Sequence, residues 1–259
     1  MTYPFKLGTT SFIIPDDIIP NARYLAGKVD DIQLILFESD TISLPTDEDV
    51  RTLTDIAEPD GMRYSIHFPL DTILGAPEPI RSQSVQKHIQ IINTTLPLKP
   101  SVYIIHFNGD SKDHAQGMPS DDIERWQKNN LESMREIIEA TDIDPSRLCV
   151  ETLSYPFELA EEAVYQLNLS VCIDVGHLLL YNESVEEHFA RYAERIKSIH
   201  LHGTSGDRDH LDLSHLDTDT LDTVLKFASD KKINLTIEVF NEKDFLESMK
   251  VLSERFSIS

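Results

Sequence analysis

Cysteine is scarce, with two residues, Cys149 and Cys172, in a chain of 259. Each sits inside an apolar, strand-like run, which excludes a disulfide framework and makes both reduced core thiols. Basic residues are also few, 23 Lys and Arg against 45 Asp and Glu, for a formal net charge of −22. Nucleic-acid affinity relies on Lys and Arg releasing counterions from phosphates, so this balance opposes a nucleic-acid partner. The acids are mostly scattered over helix-like segments such as 158–162 and 183–187, where they form solvated faces and speak only for solubility. No apolar run approaches the roughly 20 residues of a membrane span, and the first six residues lack a basic stretch followed by an apolar one. These absences predict a soluble, cytoplasmic protein without a membrane partner. No Gly-x-Gly-x-x-Gly follows any strand-like run, so a dinucleotide-binding fold loses its main support.

What is present is alternation of two periodicities. Strand-like runs occur at residues 5–10, 32–38, 64–68, 102–107, 148–151, 169–174, 196–202 and 233–240. Segments with helical spacing lie between them, among them 80–96, 122–140, 158–167, 185–195, 221–229 and 244–256, many opened by Ser, Thr, Asp, Asn or Pro. Alternating strand and helix calls for parallel strands, and 259 residues over eight strands is about 32 per unit, the size of a βα repeat. With no composition break along the chain, the expectation is an α/β fold, a single (β/α)8 TIM barrel over residues 1–259. The longer inserts, 69–79 and 108–119, follow the third and fourth strands, on the face where such barrels carry their sites, and are expected to wall the substrate.

The run Val171-Cys172-Ile173-Asp174-Val175-Gly176-His177 organises the rest. Strand alternation places Cys172 and Asp174 on one face, and Gly176 is expected to let the chain turn sharply and bring His177 back over the strand end. Taken alone, an Asp closing a strand is more often the cap of the next helix. The pattern repeats, however. Glu38 closes the second strand, His67 the third, His106 the fourth, Glu151 the fifth, His200 and His202 the seventh, and Glu238 the eighth. Parity puts Ser198 with His200 and His202, Cys149 with Glu151, Ile104 with His106, Ser65 with His67 and Thr236 with Glu238, each on the face turned into the barrel. Buried acids and imidazoles converging in one mouth are costly to desolvate unless paired or metal-bound, and a divalent cation held by mixed His and carboxylate ligands removes that cost.

The series His67, His106, Glu151, Asp174-x-x-His177, His200 and Glu238 resembles the xylose isomerase-like TIM barrels, the superfamily of endonuclease IV and many sugar isomerases and epimerases. In the endonuclease IV pattern the resemblance implies that His67, His106 and Glu151 hold a first metal, and that Glu151, Asp174, His200 and Glu238 hold a second. A third would take His177 with a later Asp and His. There the chain reads Gly206-Asp207-Arg208-Asp209-His210-Leu211, so His210 is the ligand implied and its acidic partner is open. Short isomerase-type members hold one metal through the Glu151, Asp174, His200 and Glu238 set alone. The cofactor expectation is therefore one to three divalent ions, zinc or manganese. The strings Leu7-Gly8-Thr9-Thr10-Ser11-Phe12, Leu36-Phe37-Glu38-Ser39, His200-Leu201-His202-Gly203 and Asp209-His210-Leu211 further resemble cobamide-remodelling phosphodiesterases of this superfamily. Gly8 to Ser11 also reads simply as a small-residue first strand leaving room in the barrel floor.

Two enzyme classes follow. A phosphodiesterase would use two or three cations to bind phosphate and acidify a water, with Glu151 beside that water and Glu38 and His202 available for proton transfer or substrate contact. Joined to the cobamide resemblance, its substrate is a bulky phosphate-containing small molecule. A sugar isomerase or epimerase would instead pair Glu151 and Glu238 across one metal, leaving His67 and His106 as substrate contacts. A non-catalytic ligand-binding barrel would need a decayed site, and none of these positions reads as decayed. The oligomeric state stays open.

Overall fold

The computed structural model describes residues 3–39, 44–108, 120–206 and 208–257. Eight parallel strands close on themselves: β1 (Lys6–Thr10), β2 (Asp31–Ile35), β3 (Arg63–His67), β4 (Tyr103–Ile105), β5 (Leu148–Glu151), β6 (Ser170–Asp174), β7 (Ile196–Leu201) and β10 (Asn234–Ile237). Helices α1 (Ile18–Leu25), α2 (Asp47–Ala57), α3 (Ile80–Thr95), α4 (Ser120–Thr141), α5 (Glu161–Gln166), α6 (Val175–Leu180), α7 (Val185–Tyr192), α8 (Thr218–Lys231) and α9 (Glu242–Ser257) connect them. The molecule is the (β/α)8 barrel expected. It adds a feature that the strand periodicity did not reveal, an antiparallel hairpin of β8 (Gly203–Ser205) and β9 (Arg208–Leu211) standing on the end of β7. No described helix is long and apolar enough to cross a membrane.

Local chemistry sets the helix starts. Thr46 and Asp49 form a reciprocal capping box on α2, Ser184 caps α7 and Asp217 caps α8, each satisfying amides that the first turn leaves without partners. Alternation along the strands then sorts side chains into two cores. Tyr103 and Ile105 belong to the large layer between strands and helices, whereas Ile104 between them joins Val102, Cys149 and Cys172 in a separate cluster inside the barrel. Both cysteines are free thiols. Burial pushes the Cys172 thiol up to about 12 and Cys149 well above its usual value, so neither is a nucleophile at neutral pH.

The lower end of the barrel is closed by polar groups. Asp31, fully enclosed, accepts hydrogen bonds from Ser65 Oγ and Ser101 Oγ at 2.6 Å each, and burial raises its carboxyl above the ordinary range against those bonds. Gly8 on β1 is needed for space, since a Cβ there would lie 3.1 Å from Thr236 Oγ1 and 3.2 Å from the Asp31 carbonyl oxygen. The strands are shorter than their apolar runs at the upper end. β2 stops at Ile35, although the Leu36 amide still donates to His67 O at 3.2 Å, so Glu38 lies three residues beyond the sheet. The chain leaves the ladder there before the hydrophobic pattern ends.

The insert 69–79 is a fixed wall. Ser133 Oγ donates to Leu74 O at 2.9 Å and Asn129 Nδ2 to Ala76 O at 2.8 Å, while Gly75 lies so close to Trp126 that a Cβ would sit 2.4 Å from its ring. Of the insert 108–119 only Asn108 falls among the described residues, and its carbonyl accepts the Trp126 indole N–H at 3.2 Å.

Behind this wall His88 stacks on Phe68 with centroids 4.3 Å apart, and its Nδ1 donates to Ser84 O at 2.9 Å. Burial holds its pKa down to about 4. A group depressed below its unfolded value contributes stability that is complete above pH ~6.5 and disappears as pH falls toward 4. Chemical denaturation between pH 7 and 4 is therefore expected to show a loss that is smaller in His88→Gln than in the wild type, after correction for their difference at pH 7. Parallel profiles would contradict this assignment.

Candidate metal centre at the barrel mouth

Strand ends deliver the ionisable side chains to one place. His67 ends β3, Glu151 ends β5, Asp174 ends β6 and His200 lies on β7, with Glu238 one residue past β10 and His106 one past β4. Register brings Asp174 level with His200, and His200 level with Thr236. Three groups result, each with donor atoms within 4.8 Å of one another: His67, His106 and Glu151; Glu151, Asp174, His200 and Glu238; and His177, His202 and His210.

Glu151 links the first two groups. Its Oε2 lies 2.8 Å from His106 Nε2 and 3.5 Å from His67 Nε2, while its Oε1 lies 3.1 Å from His200 Nδ1. His200 Nδ1 is also 3.0 Å from Glu238 Oε2 and 3.8 Å from Asp174 Oδ2. Burial would raise the Glu151 and Glu238 carboxyls, but His200 outweighs it and both are held far below the usual carboxylate range. Against the effect of burial, Glu238 and Glu151 lift His200 above the ordinary imidazole value. His177 is raised by Asp174 and Glu151 in the same way, whereas burial dominates at His106 and lowers it. The mouth thus has an excess of buried negative charge that only protonated imidazoles or cations can offset.

Second contacts fix which nitrogen of each ring is free. A backbone carbonyl only accepts, so Nδ1 carries the proton in His67 (to Phe68 O, 2.9 Å), His177 (to Thr152 O, 3.1 Å) and His210 (to Glu238 O, 3.3 Å). The Nε2 lone pairs of these rings are left for a cation. His200 is reversed. Its Nε2 faces Gln33 Oε1 at 2.8 Å, leaving Nδ1 toward the three carboxylates. Gln33, fully buried on β2, is a positioning residue that sequence reasoning missed; its only signal was a lone amide at an inward-facing position of an apolar strand.

Asp174 turns its two oxygens to different places. Oδ1 caps α6 by accepting the His177 amide at 2.7 Å, whereas Oδ2 is buried without a hydrogen bond. A buried carboxylate oxygen without a hydrogen bond is costly, and together with oriented imidazoles it fits a divalent cation in chemistry and direction. Gly176 acts differently from expectation. It lies within α6 with an ordinary helical backbone, and what it supplies is room: a Cβ there would be 2.0 Å from His202 Cε1. His202, fully buried, occupies that space with Nε2 3.1 Å from Asp174 Oδ1 and Nδ1 accepting the His210 amide at 3.0 Å. With both ring nitrogens engaged, it stands beside His177 and His210 and ties Asp174 to the His210 backbone, while Asp209 is exposed and 3.7 Å from His210. Asp207 lies outside the described residues. Glu38 is not brought into any of these groups; it is exposed and lines a neighbouring cavity.

A cavity of about 170 Å³ opens over the centre, lined by His67, His106, Glu151, His177, His210 and Glu238 with Phe37 and Phe240. Gly176→Ala is expected to displace the His202 ring and reduce bound zinc by about one ion per chain, read by elemental analysis after dialysis. An unchanged metal count would contradict the assigned role of Gly176.

A family model described as "Xylose isomerase-like TIM barrel" matches residues 26–255. Among curated proteins none matches the chain. Solved structures with the same fold include a D-tagatose 3-epimerase-like protein (18% identity, 98% of each chain covered, TM-score 0.78). Endonuclease IV from Thermus thermophilus is another (15% identity, 98% of this chain and 100% of that one, TM-score 0.75). A third is the 3-keto-D-glucoside 4-epimerase YcjR from E. coli (13% identity, 96% and 98%, TM-score 0.70). At these identities the likeness concerns the fold alone.

Proposed function

Because the chain belongs to the xylose isomerase-like TIM barrel family, we propose that it is a divalent-metal-dependent phosphodiesterase acting on a bulky, phosphate-containing small molecule. The carrying observation is that His67 and His106 turn toward Glu151 Oε2 while its Oε1 faces the Asp174, His200 and Glu238 group, which suits two cations sharing one carboxylate. In a single-metal site His67 and His106 would instead be substrate contacts. Bound there, divalent ions would supply Lewis acidity toward phosphoryl oxygens and acidify a water. Zinc suits the imidazole-rich groups and manganese the carboxylate-rich one.

In this reading the chain's own groups do the positioning. Gln33 fixes the His200 ring, the Phe68, Thr152 and Glu238 carbonyls fix three others, and Asp174 ties the start of α6 to the centre. Glu151 is the carboxylate common to both groups, so it is suited to orient the attacking water. His202, backed by Asp174, is a proton carrier. Phe37 and Phe240 limit water above the centre. Glu38 serves as a substrate contact.

For the substrate, the charge of −22 disfavours polyanions, and the strings at 7–12 and 36–39 resemble cobamide-remodelling enzymes. The reaction we assign is hydrolysis of the phosphoribosyl linkage of a cobamide nucleotide loop, releasing the lower base within a nucleoside. A sugar epimerase remains the second reading, favoured by Glu151 Oε1 and Glu238 Oε2 flanking His200 Nδ1 at 3.1 and 3.0 Å, a paired-acid arrangement about one centre.

Zinc- or manganese-loaded protein is expected to convert a complete cobamide to a form that has lost its lower nucleoside and keeps the phosphate, and to leave abasic-site DNA intact, as read by chromatography. Cleavage of the DNA alone, or interconversion of ketoses with no action on the cobamide, would overturn the assignment.

A further inference from the structure

A second cavity, about 450 Å³, adjoins the mouth and shares Ile35 and Phe37 with it. Phe37 is the partition. On the far side its ring meets Phe12 edge-on at 4.9 Å, and on the near side a chain of rings runs through Phe240 (6.4 Å) to His210 (4.9 Å). Phe12 and Phe37 are 40% and 43% exposed, so the two packed rings present apolar surface to the recess. The remaining wall combines Ile18, Ile19 and Leu44 with three carboxylates, Asp17, Glu38 and Asp49, and among the described residues that line it none is Lys or Arg.

The wall is built in advance. Asn21, fully buried, accepts the Ile13 and Ile14 amides and donates to the Ile14, Asp16 and Asp17 carbonyls, locking the loop that carries Phe12. Phe37 and Glu38 are held between the Leu36 amide on His67 O and Ser39, whose amide and hydroxyl both bond Asp71. Asp49 is engaged at the start of α2, whereas Glu38 has no hydrogen-bond or ion-pair partner among the described residues. A preformed recess of small-molecule size, continuous with a reaction mouth and offering aromatic surface beside acceptor oxygens, is a recognition site for part of the substrate rather than a surface for a chain of phosphates.

Resting on the reading that the histidine and carboxylate mouth is where reaction occurs, we propose that this adjoining recess is a substrate subsite for a planar, apolar group, neutral or cationic, that carries N–H or O–H donors. The ring would pack against Phe12 and Phe37, and its donors would meet Glu38. An anionic ring, or the flanking phosphates of a nucleic-acid strand, would face three carboxylates with no compensating base.

The test uses one ring in three charge states. Binding of indole, tryptamine and indole-3-acetate to the full chain is measured by ligand-observed NMR titration, with zinc added and with chelator. Tryptamine is expected to bind about fivefold more tightly than indole-3-acetate in both conditions, which separates the recess from any carboxylate held by metal. Phe37→Ala is expected to weaken all three by about fivefold, and Glu38→Gln to narrow the charge preference while leaving indole unchanged. Because no turnover enters the measurement, failure of the phosphodiesterase reading would leave this ordering intact. Equal binding of the three probes, or binding untouched by Phe37→Ala, would overturn the proposal. So would concentration-dependent self-association abolished by Phe37→Ala with no ring bound, since the recess would then be an interface between copies.

Discussion

Three carboxylates, Glu151, Asp174 and Glu238, are buried within one barrel mouth, and the arrangement around them answers that electrostatic cost. Six imidazoles surround them, with backbone carbonyls holding Nδ1 of His67, His177 and His210 and Gln33 holding Nε2 of His200. Small residues make room, Gly176 for the His202 ring and Gly8 for the polar layer beneath. The barrel itself supplies the convergence, since parallel strands release their C-terminal residues at one rim.

Much of this was legible because strand parity is a hard rule. Alternation correctly separated Ile104, Cys149 and Cys172 from their flanking neighbours and set His67, Glu151 and His200 facing inward. It failed where the chain leaves the sheet. Glu38 looked like the end of a strand because the apolar pattern runs on past Ile35, yet the strand ends there, its last bond to β3 is made by the Leu36 amide, and the Glu38 side chain turns to a different cavity. His202 looked like a spare group because nothing in linear order tells that a hairpin folds His210 back onto it. Gly176 was noticed for the wrong reason: its lack of a side chain, rather than backbone freedom, is what the site uses.

Asp174 shows why the bland and the chemical readings of a residue need not compete. One oxygen caps α6 and the other stays without a partner in the centre, so a single carboxylate fixes the helix carrying His177 and points at the same place. Helix position and ligand direction are thereby coupled. The acidic, aromatic recess beside Phe37 extends the same economy to recognition, since the partition between the cavities is also a wall of the mouth.

The central claim is that these groups hold more than one cation around Glu151. The direct measurement is the zinc or manganese content of wild-type protein, by elemental analysis after saturation and dialysis, alongside His67→Ala and His106→Ala. Two or more ions per chain in the wild type, with about one fewer in each variant, is the result the account predicts. One ion per chain in all three proteins would contradict it.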